Sequence, residues 1–280
     1  MAKFKTEKHK KQNPSINTSS LSSAVSKIKH KFSFLRWLDP FTYVDLFVMP
    51  QVKKVTQNQL VEFLVNVFFA LLFAWIIYTL LGAIFGTSTP LVIVYSASME
   101  NTFFRGDVMA LGKVSSADYF GPTVFLNKEI KNIAVSEFVS PIYEGGKISS
   151  LMILCDGNCL AEIKPDSKGN VIVYPAYPSG MPIIHRTIAL LVARDGNFVL
   201  TKGDNMLTNP TYDQDCGKIV SEFNSPQKPC ITFYAIPIEQ IQGKTFFMIP
   251  KIGCVKLWLV DDLFSVVSTG RLPSDFKGIC

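Results

Sequence analysis

The longest apolar stretch of the chain lies between residues 63 and 99, where no Asp, Glu, Lys or Arg occurs. Its first 23 residues, Phe63–Phe85, have one Asn and one Gly as their only strongly non-apolar members. A helix of that length rises about 35 Å, enough to cross a hydrocarbon core of about 30 Å. A buried core helix is the alternative, but few core helices are apolar on every face for about six turns. The pattern therefore predicts a transmembrane helix over residues 59–86.

A different pattern follows this helix: short β-branched and aromatic runs are separated by Gly, Pro, Asn and Asp. The runs are LVIVYSA, DVMALGKV, NIAVSEFV, LMILC, NVIVYPAY, TIALLVAR, NFVLTKG, ITFYAIP and KTFFMIP. This spacing predicts a mainly β domain over residues 87–280, and the Asp-Gly-Asn in ARDGNFVLTKGD predicts a hairpin. Residues 252–268, IGCVKLWLVDDLFSVVS, have helical apolar spacing. We expect an amphipathic helix there that either packs on the β domain or contacts the outer membrane face.

The segments before the transmembrane helix are polar and basic. Residues 1–31 are rich in Lys, Ser, Asn and Gln, which predicts a disordered tail. Residues 32–58 are aromatic and amphipathic, interrupted by Pro40 and Pro50. They either lie along the inner membrane surface or form a juxtamembrane linker. Because about 60 residues precede the apolar run, we expect a retained signal-anchor and not a cleaved signal peptide.

The charge of the chain is concentrated before the helix. Residues 1–60 carry 11 Lys and Arg against 3 acidic residues, a net charge of +8, whereas the rest of the chain has a net charge of −2. A basic tail can bind nucleic acid, but the positive-inside rule explains this one more simply. We therefore expect no nucleic-acid partner. The charge predicts a single-pass protein of the cell membrane, with a cytoplasmic N-terminus and an extracytoplasmic β domain.

The six cysteines all follow the helix. An extracytoplasmic domain can retain disulfides, and local spacing favours the pairs Cys155–Cys159 and Cys216–Cys230. Cys254 lies in an apolar run and is interpreted as a buried residue. Zinc is the competing interpretation for Cys155 and Cys159, but neither a His-containing pair nor a second close Cys pair completes a ligand set. The sequence implies no metal and no organic cofactor.

Candidate chemistry begins with two serines, Ser96 and Ser98, in the stretch VYSASMENTFFRGDV. A serine hydroxyl needs a base to act as a nucleophile at neutral pH. Two of the three histidines lie in the basic tail, so the base would be His185, although a single His is more often structural. An aspartate could orient the imidazole, or the acidic segment could be a solvated turn, and spacing alone does not decide. The candidates in LTKGDNMLTNPTYDQDC are Asp204, Asp213 and Asp215.

In this order and after an N-terminal anchor, the motifs SASME, GDVMAL, HRTI and TKGDN resemble type I signal peptidases. The segment FFMIPKIGCVKLWLVDDL is similar to the closing segment of archaeal members. The resemblance covers about residues 60–268, with an insert at about 115–180. It implies a signal-peptidase-like β domain carried on one N-terminal transmembrane helix. It also implies a serine endopeptidase that removes signal peptides from secreted preproteins, cutting after small residues, with the lipid bilayer as a partner and the Sec translocon as a candidate partner.

The resemblance also implies roles for individual residues. Ser98 takes the position of the nucleophile, and Ser96 that of the serine whose hydroxyl helps the Ser98 backbone N–H to bind the oxyanion. His185 stands where bacterial members have Lys, which is typical of the archaeal and endoplasmic-reticulum branch. Asp204 matches the first aspartate of the GDN box. The family's second aspartate would fall on a proline at the usual spacing, so a short insertion places Asp213 as the triad acid and Asp204 as a supporting carboxylate.

Other positions carry weaker expectations. By family position, the candidate walls of an apolar substrate cleft are Val92, Val94, Met99 and Ile183, which as bare sequence are ordinary strand residues. Asn101 replaces the Pro that is usual in the family, giving SMENT in place of SMEPT. This change and the shifted aspartate favour one alternative, a non-catalytic membrane-anchored relative that binds secreted chains or assists an active signal peptidase. A second alternative is a binding module in which Ser, His and Asp coincide by chance.

Overall fold

The structure is a computed structural model that describes residues 39–115, 118–155, 157–165, 168–216 and 231–271. The predicted disordered tail and Cys230 lie outside these described residues. Contacts within the chain divide it into two units, residues 1–77 and 78–280.

A helical segment begins the described part of the first unit. It consists of α1 (Pro40–Tyr43), a π-helical turn (Val44–Val48) and α2 (Met49–Val55). The Asp39 carboxylate caps α1 by accepting a hydrogen bond of 3.0 Å from the backbone N–H of Phe41. Pro40 occupies the first helical position, where the missing N–H of proline breaks no intrahelical bond. The amphipathic segment of the sequence is thus helical from residue 40 to residue 55, and its place at a membrane stays a prediction.

The helix α3 (Gln59–Phe85) has 27 residues and none of them is buried. Among the described residues it is the one helix long and apolar enough to cross a membrane. A helix that is apolar on every face is typical of a membrane span. The predicted helix is therefore present at the expected position, and by length and composition it could cross a membrane.

The second unit is mainly β, as predicted. Its strands are β1 (Leu91–Ile93), β2 (Val108–Gly112), β3 (Thr123–Phe125), β4 (Val139–Glu144), β5 (Lys147–Cys155), β6 (Asn158–Ile163), β7 (Val171–Pro175), β8 (Pro182–Ala193), β9 (Gly196–Lys202), β10 (Ile236–Pro237) and β11 (Gly243–Ile249). The larger sheet has the antiparallel order β1-β2-β11-β7-β8-β9-β10, with β3 added parallel to β8. The smaller antiparallel sheet has the order β4-β5-β6. It lies within the predicted insert, whereas β7, also within that range, is a central strand of the larger sheet.

Apolar runs in the sequence supply most of these strands. The predicted hairpin is confirmed, because β8 and β9 pair up to Ala193 and Gly196. The strands β3 and β6 were not predicted, since one is only three residues long and the other is largely exposed and lacks a β-branched or aromatic run. The run NIAVSEFV instead forms a 3₁₀ turn at Val135–Glu137, and strand structure begins only at Val139.

The two sheets share one apolar core. Leu151 and Ile153 of β5 are in the same buried cluster as Leu191 of β8 and Leu200 of β9. All four side chains have no exposed area. The smaller sheet therefore packs against the strands β8 and β9.

The C-terminal part is helical, as predicted, in α4 (Cys254–Lys256), a π-helical turn (Leu257–Asp262) and α5 (Leu263–Thr269). Its first turn packs on the β domain, because Cys254 and Leu257 are buried. Beyond that turn, large apolar side chains such as Phe264 and Val267 are exposed. A contact of this exposed part with the membrane stays a prediction.

The cysteines differ from the sequence-based expectation. Cys216 and Cys254 are each disulfide-bonded, so the interpretation of Cys254 as only a buried residue is wrong. Cys155 and Cys159 are not joined by a disulfide, so that predicted pair is also wrong. Cys155 pairs with Asn158 across the β5–β6 hairpin, while Cys159 pairs with Leu154. Because successive strand residues point to opposite faces, the two sulfur atoms lie on different sides of the hairpin.

Candidate active site

The two candidate serines lie in a short turn after β1, here called the serine turn (residues 96–102). Its centre is a 3₁₀ helix, Ala97–Met99. Met99 is fully buried and anchors the turn, and its carbonyl oxygen accepts backbone hydrogen bonds from Thr102 at 3.0 Å and Phe103 at 2.9 Å. Ser96 is exposed and Ser98 half-buried, and their hydroxyl oxygens are 3.0 Å apart. The turn therefore presents both hydroxyls at the surface on a fixed backbone.

Asn101 closes the serine turn in a left-handed conformation, with φ at 83°. Asn tolerates this region better than most residues, whereas proline is locked near φ −65°. The family's usual proline would therefore not fit this turn as it is built here. Asn101 therefore has a backbone conformation that a proline at this position could not adopt.

The strand register determines which side chains share a face of the sheet with His185. On β8, His185 pairs with Ile172 of β7, and Ile183 pairs with Tyr174. His185 and Tyr174 are thus diagonal neighbours on one face of the sheet, at a distance that long side chains can bridge. Thr201 of β9, which pairs with Thr187, shares that face.

On this face, His185 and Asp213 form a buried pair. His185 is 2% exposed and Asp213 is 3% exposed, and His185 Nδ1 lies 2.8 Å from Asp213 Oδ2. Burial by itself would raise the pKa of Asp213, but the charge of the His185 ring and the hydrogen bonds that the carboxylate accepts outweigh it. The pKa therefore lies below its ordinary value of 3.8, and Asp213 is a carboxylate at neutral pH. A carboxylate only accepts, so Nδ1 carries a proton, and whenever the ring is neutral Nε2 presents a lone pair.

Three further polar groups complete a buried network around Asp213. The Tyr174 hydroxyl donates to Asp213 Oδ2 at 2.7 Å. The Thr201 hydroxyl donates to the Tyr174 oxygen at 3.2 Å, and Gln214 Nε2 donates to Thr201 Oγ1 at 3.2 Å. The backbone N–H of Asp213 donates to the Thr201 carbonyl at 2.9 Å, which ties the loop that carries Asp213 to β9.

Asp204 lies on the other face of the sheet and has other partners. Arg186 follows His185 on β8 and therefore points to the opposite face. Its guanidinium donates two hydrogen bonds to Asp204, from Nε at 2.9 Å and from Nη2 at 2.7 Å. Burial would raise the pKa of Asp204, but the bonds from Arg186 and Thr102 outweigh it and hold the pKa below its ordinary value. Since the Thr102 hydroxyl donates to Asp204 Oδ2 at 2.5 Å, this carboxylate ties β8 to the serine turn.

The GDN box also contacts the serine turn through its backbone. The backbone N–H of Asn205 donates to the Ser98 carbonyl at 2.9 Å, and Asn205 Nδ2 donates to the Ala97 carbonyl at 2.9 Å. A Cβ on Gly203 would lie 2.7 Å from the Ser98 carbonyl oxygen. Glycine therefore permits this close approach, which fixes Ser98 relative to the end of β9.

The serine turn and β8 are neighbours, with Cα atoms within 8 Å of each other. Among the described residues, no hydrogen bond joins Ser98 Oγ to the His185 ring. Catalytic hydrogen bonds are often long in free enzymes and shorten when substrate binds. The structure thus brings His185 together with Asp213, places the centre of the serine turn next to β8, and gives Asp204 partners other than the imidazole.

The four candidate cleft residues divide into two pairs. Val92 and Ile183 are half-buried and reach the surface. Val94 is 1% exposed and Met99 has no exposed area, so both pack in the core of this structure and do not form open walls. A cleft next to Ser98 would here be formed by Val92, Ile183 and their surroundings.

Sequence reasoning missed several residues of this site. Tyr174, Arg186, Lys202 and Asn205 were not assigned roles, although the last three lie within or beside the quoted HRTI and TKGDN motifs. Lys202 is 6% exposed, and its Nζ donates to the Gly203 carbonyl at 2.7 Å. Burial lowers the pKa of Lys202, an effect that the charges of Asp213 and Asp204 oppose. The position of Lys202 inside the TKGDN motif was the one sign in the sequence that this lysine belongs to the site. Nothing in the sequence linked Tyr174 to Asp213.

In the part of the chain that the structure describes, no three His, Cys, Asp or Glu side chains come together as a metal site.

Comparisons with known proteins identify relatives of this chain. No protein-family profile matches the chain. The signal peptidase complex catalytic subunit sec11 of Schizosaccharomyces pombe is 22% identical over 210 residues, which cover 75% of this chain and 88% of that protein. The signal peptidase complex catalytic subunit SEC11 of Plasmodium falciparum is 28% identical over 197 residues, covering 70% and 72%. The subunit of the same name from Leptosphaeria maculans is 29% identical over 111 residues, covering 40% and 64%. At low identity but over most of its length, the chain is thus homologous to the catalytic subunits of signal peptidase complexes.

Proposed function

We propose that the protein is a membrane-anchored serine endopeptidase that removes signal peptides from secreted preproteins by cutting after small residues. The observation that carries this proposal is the buried His185–Asp213 pair at 2.8 Å beside the serine turn. The homology to catalytic subunits of signal peptidase complexes supports the same substrate class. The lipid bilayer is the environment of α3, and the Sec translocon is a candidate partner.

In the proposed mechanism Ser98 Oγ attacks the scissile carbonyl. His185 Nε2 takes the serine proton, since Nδ1 already donates to Asp213. Asp213 stabilises the imidazolium that forms and holds the ring in this tautomer. The imidazolium then donates the proton to the leaving amine, and water, activated by the same imidazole, hydrolyses the acyl-enzyme.

The oxyanion would be bound by two groups of the serine turn. One is the backbone N–H of Ser98, and the other is the Ser96 hydroxyl, 3.0 Å from Ser98 Oγ. Removing one such donor typically costs about 3–4 kcal/mol of transition-state stabilisation. Asp204 acts in this proposal as a supporting carboxylate, because its partners are Arg186 and Thr102 and not His185.

The anchor contributes to catalysis by confining enzyme and substrate to one membrane. Twelve residues, 86–97, separate the end of α3 from Ser98. A cleavage site that emerges at the same membrane surface would meet Ser98 at a raised effective concentration. We further propose that the N-terminus is cytoplasmic and the β domain extracytoplasmic in the cell membrane, which protease protection of intact vesicles would test.

The direct test is cleavage of a preprotein by the purified full chain in detergent and lipid. Wild type is expected to make a single cut after a small residue. Ser98→Ala and His185→Ala are expected to lower the rate by roughly a thousandfold or more, and Ser96→Ala by about a hundredfold. Val255→Ala, an exposed residue of the C-terminal helix, is the control and should cleave like wild type.

Two outcomes would contradict the proposal. If Ser98→Ala cleaved as fast as wild type, the serine mechanism would be wrong. If wild type bound the preprotein but did not cut it under any lipid condition, the non-catalytic alternative would replace it.

A further inference from the structure

Tyr174 lies on β7 with no exposed area. The first three residues of that strand are Val, Ile and Val, so a phenol is the only side chain there that can donate a hydrogen bond. Buried tyrosine hydroxyls normally find a partner. Here the partner is Asp213 Oδ2, at 2.7 Å.

The Tyr174 hydroxyl shares one carboxylate oxygen with the imidazole. Oδ2 of Asp213 accepts from both His185 Nδ1 and Tyr174, whereas Oδ1 is buried and has no hydrogen-bond partner among the described residues. The two closest donors to the carboxylate therefore both act at Oδ2, and the neighbouring Thr201 hydroxyl also helps to lower the pKa of Asp213. Loss of one of these donors would free it to rotate away from the imidazole.

We propose that Tyr174 is a positioning residue of this active site, whose hydroxyl holds the Asp213 carboxylate in the orientation that receives the His185 Nδ1 proton. The effect of this role on cleavage kinetics rests on the proposed function. Its effect on the NMR signals of the His185 ring rests on the structure alone.

The donors behind Tyr174 all point toward the carboxylate. Gln214 donates to Thr201, Thr201 donates to the Tyr174 oxygen, and Tyr174 donates to Asp213. Such a chain polarises each bond in the same direction. Burial and the charge of Asp213 raise the pKa of Tyr174 well above its ordinary value, so the hydroxyl keeps the proton that it donates.

The other charged groups near His185 and Asp213 are left unchanged by the substitutions that test this role. Lys202 interacts with both Asp213 and Asp204, and Arg186 pairs with Asp204. Asp215, two positions after Asp213, accepts hydrogen bonds from Tyr143 and Thr211. Glu100 accepts from Asn205 next to the serine turn.

The variant Tyr174→Phe removes the hydroxyl and keeps the ring. Since hydrogen bonds to charged groups are the stronger ones, we expect kcat for preprotein cleavage to fall roughly tenfold with KM within about twofold of wild type. With the hydroxyl gone, the Asp213 carboxylate is free to turn away from the ring and would stabilise the imidazolium less. We therefore expect the acid limb of the pH profile of kcat/KM to move to lower pH.

Tyr212→Phe is the matched control. Tyr212 is 2% exposed and precedes Asp213, but its hydroxyl makes no hydrogen bond to that carboxylate. It should keep wild-type kcat and the wild-type acid limb. Thr201→Val, which removes the donor to Tyr174, should shift the acid limb in the same direction by a smaller amount and serves as a second variant if Tyr174→Phe does not fold.

A measurement that needs no activity separates this inference from the proposed function. In the full chain labelled with ¹⁵N-histidine in detergent, His185→Gln assigns the His185 resonances, and the Nδ1 proton and the titration midpoint of the ring are then followed by NMR. Tyr174→Phe is expected to lower the midpoint and shift the Nδ1 proton, while Tyr212→Phe changes neither.

If both signals stay at their wild-type values in Tyr174→Phe, the positioning role is wrong, whatever the cleavage assay shows. If they shift as expected while wild type cleaves no preprotein, the positioning role stands and the peptidase proposal fails. Equal shifts in Tyr174→Phe and Tyr212→Phe would also overturn the inference, because a general loosening of the core would then account for them.

Discussion

Asp204 and Asp213 are nine positions apart in one acidic segment, yet they serve different partners. Asp213 is buried against His185, and Asp204 binds Arg186 and Thr102. The cause is strand alternation, because His185 and Arg186 are successive residues of β8 and point to opposite faces. One acid therefore belongs to the imidazole and the other to the scaffold of the serine turn.

This difference predicts opposite effects of two matched substitutions. Asp213→Asn should lower kcat about a thousandfold or more, because an amide would favour the wrong imidazole tautomer. Asp204→Asn should instead destabilise the fold by about 2 kcal/mol, since it leaves Arg186 without its charged partner. Cleavage kinetics and chemical denaturation of both variants in the same detergent measure this. Comparable kinetic losses in two equally stable variants would contradict the assignment.

A second prediction at this scale concerns Asn101. Its φ of 83° cannot be adopted by proline, so Asn101→Pro should destabilise the protein by about 2–3 kcal/mol and lower activity. Asn101→Gly should remain close to wild type, because glycine accepts positive φ. Thermal unfolding and cleavage assays of the two variants check this. A stable and fully active Asn101→Pro protein would show that the turn can adopt the family's usual backbone path.

At the scale of elements, the site depends on how closely the end of β9 approaches the serine turn. A Cβ on Gly203 would lie 2.7 Å from both the Ser98 carbonyl oxygen and the Asn209 side chain. Contacts this short require one of the two segments to move, and a shift of about 1 Å in a reacting group can cost about a hundredfold in rate. The local backbone of Ser98 is thus set by a residue that is distant in sequence.

We therefore expect Gly203→Ala to lower kcat by roughly ten- to a hundredfold. Gly112→Ala is the control: its Cβ would meet only the ring of Phe246 at 3.3 Å and the Phe85 carbonyl oxygen at 4.0 Å. Cleavage kinetics, with circular dichroism to show that both proteins are folded, give the comparison. If Gly203→Ala is as active as Gly112→Ala, the close approach is not required for catalysis.

Much of this arrangement was predictable from the chain. Hydrophobic period and turn residues located α3, the β8–β9 hairpin and most strands, because each is determined by local pattern. The motif order brought Ser98, His185 and Asp213 into one hypothesis. The positions of Tyr174 and Arg186 were not predictable, because they depend on which strands are neighbours and in which register. The pairing of Cys155 with Cys159 failed for the same reason, since a close spacing does not reveal which face each residue occupies.

At the scale of the whole molecule, the smaller sheet supports the loop that carries Asp213. The backbone N–H of Ile148 on β5 donates to the Pro210 carbonyl at 2.9 Å. The Tyr143 hydroxyl, at the end of β4, binds Asp215 and is 3.2 Å from Thr211 Oγ1. The insert is therefore joined to the site by hydrogen bonds on both sides of Asp213, as well as through the shared core.

The whole domain should also respond to pH through its buried carboxylates. The pKa values of Asp204 and Asp213 lie below their ordinary value in the folded protein, because hydrogen bonds and nearby positive charges outweigh burial. A group with a depressed folded pKa stabilises the fold fully above its unfolded pKa, which is near 3.9 for Asp. That contribution is lost as the pH falls through the folded pKa.

We therefore expect the free energy of unfolding to be constant from about pH 7 to about pH 5 with respect to these two groups, and to decrease as the pH falls further. Denaturant unfolding of the full chain in detergent, followed at several pH values between 7 and 3, measures the change. Asp204→Asn should be less stable at pH 7 and show a shallower decrease, because one of the two carboxylates is gone. A wild-type stability that stays flat down to pH 3, or a variant that follows wild type in parallel, would mean that Asp204 gains nothing from Arg186 in the folded protein.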